Sequence, residues 1–116
     1  MQYFIIYNEE GDLFSMEVKI LLEGRSSLVA HVSGRIDNTT VKDFEQEIQK
    51  LFDHPGFKIT LEMSGTEYIN SSGLRVLLIL RKLVAANEGQ VIVRGLSADL
   101  RHVFEITGFD KIFDLR

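Results

Sequence analysis

One stretch of this sequence limits the possible folds more than any other. The apolar run 57–63 is followed by a short polar segment, and a strongly hydrophobic stretch then extends from Leu74 to Val84. At about 100° per residue, this second stretch forms a helix with one apolar side and one mixed side. The apolar side holds Leu74, Leu77, Leu78, Leu80 and Val84, and the mixed side holds Ser71, Arg75, Ile79, Lys82 and Ala86. We therefore predict a strand, a polar turn and an amphipathic helix that Ser71 and Ser72 open.

The chain before this stretch has the pattern of a hairpin and a first helix. Apolar residues alternate over 16–22 and again over 28–32, with a Gly-Arg-Ser-Ser turn between them, which predicts two antiparallel strands. Asp37, Asn38, Thr39 and Thr40 are residue types that cap helices, and they precede apolar residues at helical spacing. Those are Val41, Phe44, Ile48, Leu51 and Phe52, and His54-Pro55-Gly56 ends the helix.

The chain after the central helix adds a strand, a helix and a further short strand. We predict a strand over 90–94 and a helix capped by Ser97, which ends at a left-handed turn at Gly108. A terminal strand is expected at 111–113. The resulting order predicts an α/β fold: a mixed β-sheet, built from an N-terminal antiparallel hairpin and then βα crossovers, packed with helices. Residues 1–15 are predicted to be a separate N-terminal arm, tether or extra strand, and 16–116 the domain proper.

Composition excludes several classes of function. A net charge of −4 gives no global attraction for nucleic acid or anionic lipid, so neither is an expected partner. The absence of cysteine excludes disulfides and thiolate chemistry. The apolar run 3–7 fails as a signal peptide, and the run 76–80 is far shorter than the ~20 residues that span a bilayer. A cytoplasmic protein is therefore expected.

No pattern of catalytic or cofactor-binding residues is present in the sequence. His31, His54 and His102 are scattered over different predicted elements, which argues against a metal site. There is no Walker A loop and no dinucleotide fingerprint, and a lone Gly95-Leu96-Ser97 is weak support for phosphate binding. We expect no cofactor, and the residues by themselves point to no enzymatic activity.

The segment from Met63 to Leu74, with its Ile-Asn-Ser-Ser-Gly-Leu core, resembles the signature of STAS domains, the anti-sigma factor antagonists. The resemblance extends to Val32-Ser33-Gly34-Arg35-Ile36-Asp37 upstream and to 104–113 downstream, so it covers nearly all of 16–116. It implies a bacterial, non-enzymatic binding module for signal transduction and transcription regulation. In such switches, an anti-sigma factor that is also a serine kinase binds the unphosphorylated antagonist and phosphorylates it, and a serine phosphatase resets it.

The resemblance places the phosphorylated serine at Ser71. Asn70 stands where the family usually has Asp, which keeps the shape of the side chain but loses its charge. From the residues alone, Ser71 and Ser72 are better explained as plain helix caps, and only the resemblance favours Ser71 as a switch. Phosphate on Ser71 would lie at a helix start, where the helix dipole and Arg75 could stabilise it.

The predicted partner-binding surface surrounds this serine. The mixed side of the helix, with Arg75, Ile79 and Lys82, is either an ordinary solvated face or part of an interface. A glycine so early in a helix, Gly73, is explained either by the close approach of a partner or by tight packing against the sheet. Asp37, Asn38 and Thr39 either cap the first helix or contact the partner. The full predicted surface is Ser33, Arg35, Asp37, Asn38, Thr39, Asn70, Ser71, Ser72, Gly73, Arg75, Ile79 and Lys82.

Two other classes of function remain open at this point. STAS modules also serve as permanent scaffold subunits of sensory or lipid-transporter assemblies, in which no phosphorylation is needed, and Asn70 favours that alternative. A ligand-binding or enzymatic domain would need a deep polar pocket, and no sequence pattern predicts one.

Overall fold

A computed structural model describes residues 2–7 and 13–116, with side chains from Met16 onward. Its strands form one six-stranded sheet in the order β1-β2-β3-β4-β5-β6. The strands are β1 Gln2–Tyr7, β2 Leu13–Leu22, β3 Ser27–Ile36, β4 Lys58–Ile69, β5 Gln90–Arg94 and β6 Asp114–Leu115. The helices are α1 Val41–Gln49, α2 Ser71–Ala86 and α3 Ala98–Ile106, followed by a 3₁₀ turn at Phe109–Lys111.

The first three strands are antiparallel and the last three follow in parallel. β2 and β3 form the predicted hairpin, with Val18 opposite Val32. β2 begins at Leu13, three residues before the expected start of the domain. All of β1 pairs with the first part of β2. The division between 1–15 and 16–116 stays a prediction. The mixed α/β architecture predicted from the pattern is confirmed.

Each parallel connection passes through a helix, because parallel neighbours cannot be joined by a tight turn. Phe44 of α1, Leu77 of α2 and Phe104 of α3 are fully buried and belong to one apolar cluster. The same cluster takes alternate residues of the central strands, such as Leu61 and Val93. The sheet therefore directs one face to all three helices, and the intervening residues point to the opposite face.

The polar turn predicted after Met63 is wrong, because β4 continues as a strand to Ile69. The extension pairs with β3 up to Ile36, which lies opposite Ile69. Two register shifts interrupt this pairing, between His31 and Ser33 and between Gly34 and Arg35. Extra residues in one strand let polar side chains occur within a paired strand. The second half of β4 therefore lacks the alternation of apolar and polar residues that marks a strand, and its sequence predicts a turn instead.

Two further predictions need correction. The side chains of Asp37, Asn38 and Thr39 do not cap α1: its N-cap is Thr40, which makes no side-chain capping bond. The terminal strand is not at 111–113 but at Asp114–Leu115, because the chain first makes the 3₁₀ turn after Gly108. Gly108 has a φ of 77°, as expected for a left-handed helix end.

Among the described residues, none of the helices has the length and apolar character required to cross a membrane.

Candidate functional site

The site is built around the junction where β4 passes directly into α2. The backbone N–H of Asn70 donates to the carbonyl of Ile36 at 2.9 Å, which ties the ends of β3 and β4 together. Asn70 has an extended backbone, and its side-chain Oδ1 accepts a hydrogen bond from the Gly73 N–H at 2.8 Å. This is the geometry of an N-cap, which satisfies one of the free donors of the first helical turn. Asn70 therefore fixes where α2 begins.

The same side chain also holds the neighbouring loop. Asn70 Nδ2 donates to Oδ1 of Asn38 at 3.1 Å. An amide can accept with its oxygen and donate with its nitrogen at the same time, whereas an ionised carboxylate can only accept. Asn70 therefore joins the start of α2 to the loop before α1 through one side chain.

Gly73 is required by packing against the sheet. A Cβ at this position would lie 2.7 Å from Ile36 Cγ2 and 2.7 Å from Ile69 Cγ1. Gly73 is also buried, so no partner can approach it directly. Of the two explanations that the sequence left open, tight packing is the one the structure supports.

Ser71 and Ser72 are the first two residues of α2, and both are exposed. They are not the N-cap, because Asn70 performs that function. Their hydroxyls are therefore free of the capping role that pattern alone had suggested for them. An anion on either serine would lie at the positive end of the helix dipole.

The loop before α1 is ordered by its own side chains. Asp37 Oδ1 accepts from the Thr39 N–H at 2.9 Å and from the Thr39 hydroxyl at 2.6 Å. The buried Thr40 hydroxyl donates to the carbonyl of Arg35 at 2.7 Å. Burial of the Asp37 carboxyl opposes its ionisation, but the hydrogen bonds from Thr39 and Thr40 and the Arg35 charge outweigh it. The pKa of Asp37 is therefore lowered from its ordinary value.

Arg35 lies on the sheet face that points away from the helices. Its guanidinium carbon is 4.6 Å from the centre of the Tyr68 ring, a cation–π contact, and its Nε is 3.7 Å from Asp37 Oδ2. Tyr68 is 41% exposed, and sequence reasoning missed it because it falls in the segment mistaken for a turn. Ser33 lies on this same face, beside Glu17 and Gly65.

The exposed side of α2 carries Arg75, Ile79 and Lys82, as the helical pattern predicts. Ser72, Arg75 and Ile79 line an open groove between α1 and α2, together with Lys42 and Glu45, which the sequence analysis did not select. Lys42 and Glu45 could have been found only by knowing which face of α1 meets α2.

The predicted surface is therefore divided rather than continuous. Asn38, Asn70 and the two serines lie together at the end of the sheet, and the α2 residues extend from them along the helix side. Ser33 and Arg35 extend along the opposite face of the sheet. A single flat partner could not cover both faces, although the end of the sheet adjoins each.

The described residues give little support to a metal site or to an acid–base role for Glu62. No cluster of His, Asp and Glu in the described part of the chain could hold a metal ion. Glu62 forms an ion pair with Arg94 on the outer sheet face. Burial of this carboxyl opposes its ionisation, but bonds from Arg94 and Ser64 prevail and lower the pKa of Glu62. These are the features of a structural ion pair, in which Arg94 holds the Glu62 carboxylate in its charged form.

Comparison with known proteins gives the family of this chain. The STAS domain family model matches residues 19–116. BtrV of Bordetella bronchiseptica, named as a candidate anti-sigma factor antagonist, is 31% identical over 86 residues, which are 74% of each chain. An anti-sigma factor antagonist structure from Mycobacterium paratuberculosis is 26% identical, with a TM-score of 0.71 over 95% of this chain and 89% of that one.

A more distant structure has the same fold. The Bacillus cell fate determinant SpoIIAA in its phosphorylated form is 19% identical, with a TM-score of 0.66, and the match covers 86% of this chain and 91% of that one. At this identity the likeness concerns the fold alone. The family match, which spans most of the chain, and the relative at 31% identity lead to the same conclusion: this chain belongs to the STAS domain family.

Proposed function

We propose that this chain is an anti-sigma factor antagonist that binds an anti-sigma factor/serine kinase and is switched off by phosphorylation of Ser71. The observation that carries the proposal is the position of Ser71. It is the exposed first residue of α2, while Asn70 takes the capping role that would otherwise occupy a serine hydroxyl. The names of the relatives support the same role, since several are anti-sigma factor antagonists.

Phosphorylation at this position would leave the fold intact. A phosphoserine adds about −1.5 to −2 charges at neutral pH, and the N-terminus of a helix stabilises such a charge. The hydroxyl of Ser71 is at the surface, so no buried group is displaced. The cost therefore falls on the complex, because a dianion in a protein interface opposes acidic and apolar partner surfaces.

The experiment measures binding and modification with purified candidate anti-sigma factor/serine kinases. The wild-type chain should bind and then gain one phosphate on Ser71 when ATP is present, as seen by intact-mass and peptide mass spectrometry. Ser71→Ala should bind without being modified. Ser71→Glu should stay folded and lose about a hundredfold or more in affinity. A serine phosphatase should restore binding of the phosphorylated form.

Ser26→Glu provides a matched control, since Ser26 is an exposed serine in the turn between β2 and β3. This variant adds the same charge at the opposite end of the sheet from the N-terminus of α2 and should bind as the wild type does. If Ser71→Glu binds as tightly as Ser26→Glu, the switch is refuted.

A second function is favoured by one residue. Asn70 lacks the charge of the Asp usual at this position in the resembling family, so kinase recognition could be absent and the chain could be a constitutive scaffold subunit. That function predicts a stable complex with its partner that forms in the presence of ATP without any modification of Ser71. The mass measurement above therefore separates the two functions.

A further inference from the structure

The exposed side of the two adjacent helices contains a continuous groove. Two cavities of about 430 and 70 Å³ lie between α1 and α2, and they share the lining residues Glu45, Val76 and Ile79. The larger cavity starts at Val41 and Ser72, and the smaller one reaches Phe52 beyond the end of α1. The groove thus follows α1, whose nine residues are about 13 Å long.

One end of the groove is apolar and accessible. Ile79 is 39% exposed, and Phe52 is only partly buried. Leu83, one turn further along α2, is 40% exposed and extends the apolar strip. Large apolar side chains that adjoin one another on the surface, rather than singly, are typical of a protein-binding site.

The other end of the groove is electropositive. α1 and α2 both begin at the end of the sheet where Ile36 and Ile69 are paired, so their N-terminal dipoles lie side by side. Lys42 and Arg75 line the groove at this end, and neither forms an ion pair with any residue that the structure describes. With Glu45 included, the groove carries a net charge of +1 on a chain whose net charge is −4.

We propose that this groove binds an amphipathic helix of the anti-sigma factor/serine kinase. Its apolar residues, spaced at i, i+3 and i+4, would pack on Ile79 and Phe52, and an acidic residue would lie between Lys42 and Arg75. A groove between two helices suits a third helix, which is a common mode of recognition. This inference rests on the proposed function and names the part of the chain that the partner contacts.

Charge complementarity argues for a different protein rather than a second copy of this chain. In a symmetric dimer formed by this face, Lys42 and Arg75 would approach the opposite end of the partner groove, near Gln49 and Phe52. That end offers a single carboxylate, Glu45, for the two cations, so one positive charge of each groove would stay unpaired and two grooves of net charge +1 would face each other. A helix from another protein can place its acidic residue where the groove is positive.

The groove also explains why a dianion on Ser71 would release the partner. Ser71 precedes the groove-lining Ser72 at the electropositive end. A phosphate of about −1.5 to −2 charges would reverse the net charge of +1 there and repel the acidic residue of the bound helix. The partner would lose its electrostatic anchor without any change in the fold.

The test compares two groove variants with two matched variants outside the groove, on α3 and in the turn that follows it. Ile79→Ser removes an exposed apolar side chain from the groove, and Ile106→Ser removes one that is 70% exposed on α3. Lys42→Glu/Arg75→Glu reverses two groove charges, and Arg101→Glu/Lys111→Glu reverses two exposed charges on and after α3. Affinity for the purified kinase is measured by calorimetry at two salt concentrations.

Each groove variant should lose about tenfold or more in affinity, and each control variant less than about threefold. The charge-reversed groove variant should also lose the salt dependence of binding. If the groove variants bind as their controls do while Ser71→Glu still loses the kinase, the groove assignment is overturned and the proposed function stands. If the wild type sediments as a dimer that Ile79→Ser dissociates, the groove belongs to a second copy. If the wild type does not bind any kinase, the proposed function itself fails.

Discussion

Replacement of Asn70 tests whether this one side chain holds the site together. Asn70→Ala removes both the bond from the Gly73 N–H and the bond to Asn38. Loss of an N-cap costs about 1–2 kcal/mol, because a helix donor is left unsatisfied. The exposed bond to Asn38 adds little, since water replaces it. We therefore expect a loss of about 1–2 kcal/mol in the free energy of unfolding.

Asn70→Asp should behave differently, and this contrast makes the prediction sharp. The carboxylate still accepts from Gly73 and gains about 0.3–1 kcal/mol from the helix dipole. Asn38 can turn its amide so that its NH₂ group donates to the new carboxylate. The two substitutions should thus separate by about 1–3 kcal/mol in stability.

The assay is urea denaturation, supported by thermal melting. For 116 residues, a loss of 1–2 kcal/mol lowers the melting temperature by about 4–8 °C. Asn87→Ala, at the C-cap of the same helix, is the control, since no side-chain bond of that residue contributes to the cap described for α2. Equal stability of Asn70→Ala and wild type would refute the capping role, and equal losses for Ala and Asp would refute the assignment of the bond to Gly73.

Further predictions concern packing and pH. Gly73→Ala should destabilise the fold by about 0–2.5 kcal/mol in denaturation, because overpacking against Ile36 and Ile69 costs about 1–3 kcal/mol while the helix gains only about 0.5–1 kcal/mol from alanine. A more stable variant would show that the side chains of Ile36 and Ile69 move aside at little cost. The free energy of unfolding should fall on acidification below about pH 5. The pKa values of Asp37 and Glu62 are lowered in the folded state, so both carboxylates stabilise the fold when the pH lies above their unfolded pKa of about 4. This stabilisation is lost as the two carboxylates take up protons. Glu62→Gln should flatten that acid limb in a series of urea melts, whereas Glu105→Gln, on the exposed side of α3, should leave it unchanged.

Helical elements could be predicted well from the sequence where periodicity and caps agree. The apolar side of α2 is buried as its spacing predicts, and Ser97 caps α3 by accepting from the Leu100 N–H at 3.2 Å. Both signals are local in the sequence: the partner of the cap lies three residues away, and the helical period is read within one segment. The hairpin of β2 and β3 was equally predictable, because alternation is a local pattern too.

The missed features depend on contacts between distant parts of the chain. The second half of β4 has no alternation of its own, and it is a strand because β3 pairs with it across two register shifts. Arg81 falls among apolar positions of α2, and its place is explained only by the bond that its Nε donates to the carbonyl of Ile112 at 2.7 Å. Pairing of this kind, over thirty residues or so, has no signal in one sequence.

The residues of the candidate site could likewise be predicted only in part. The serine pair could be selected from its motif, but the groove beside it needs both Lys42 of α1 and Arg75 of α2. These residues belong to separate crossovers and meet only because the strands before them are parallel neighbours. Motif reasoning therefore finds the residue that would be modified, and only the fold shows the surface that the modification would affect.

Asn70 affects both the proposed modification site and the surface beside it. With asparagine at the N-cap, the N-terminus of α2 keeps the hydrogen bond from the Gly73 N–H to the Asn70 side chain. An aspartate at this position would add one negative charge there. A phosphate on Ser71 would therefore face less repulsion from its own domain, where Asp37 is the acid held nearby through the Asn38 loop. The same neutrality leaves the end of the groove more positive, so the proposed acidic partner helix would be attracted more strongly than by an aspartate at this position. Asparagine thus favours an acidic partner in both states of the serine, and Asn70→Asp should weaken the binding of wild-type Ser71 and of Ser71→Glu by similar factors, as measured by calorimetry.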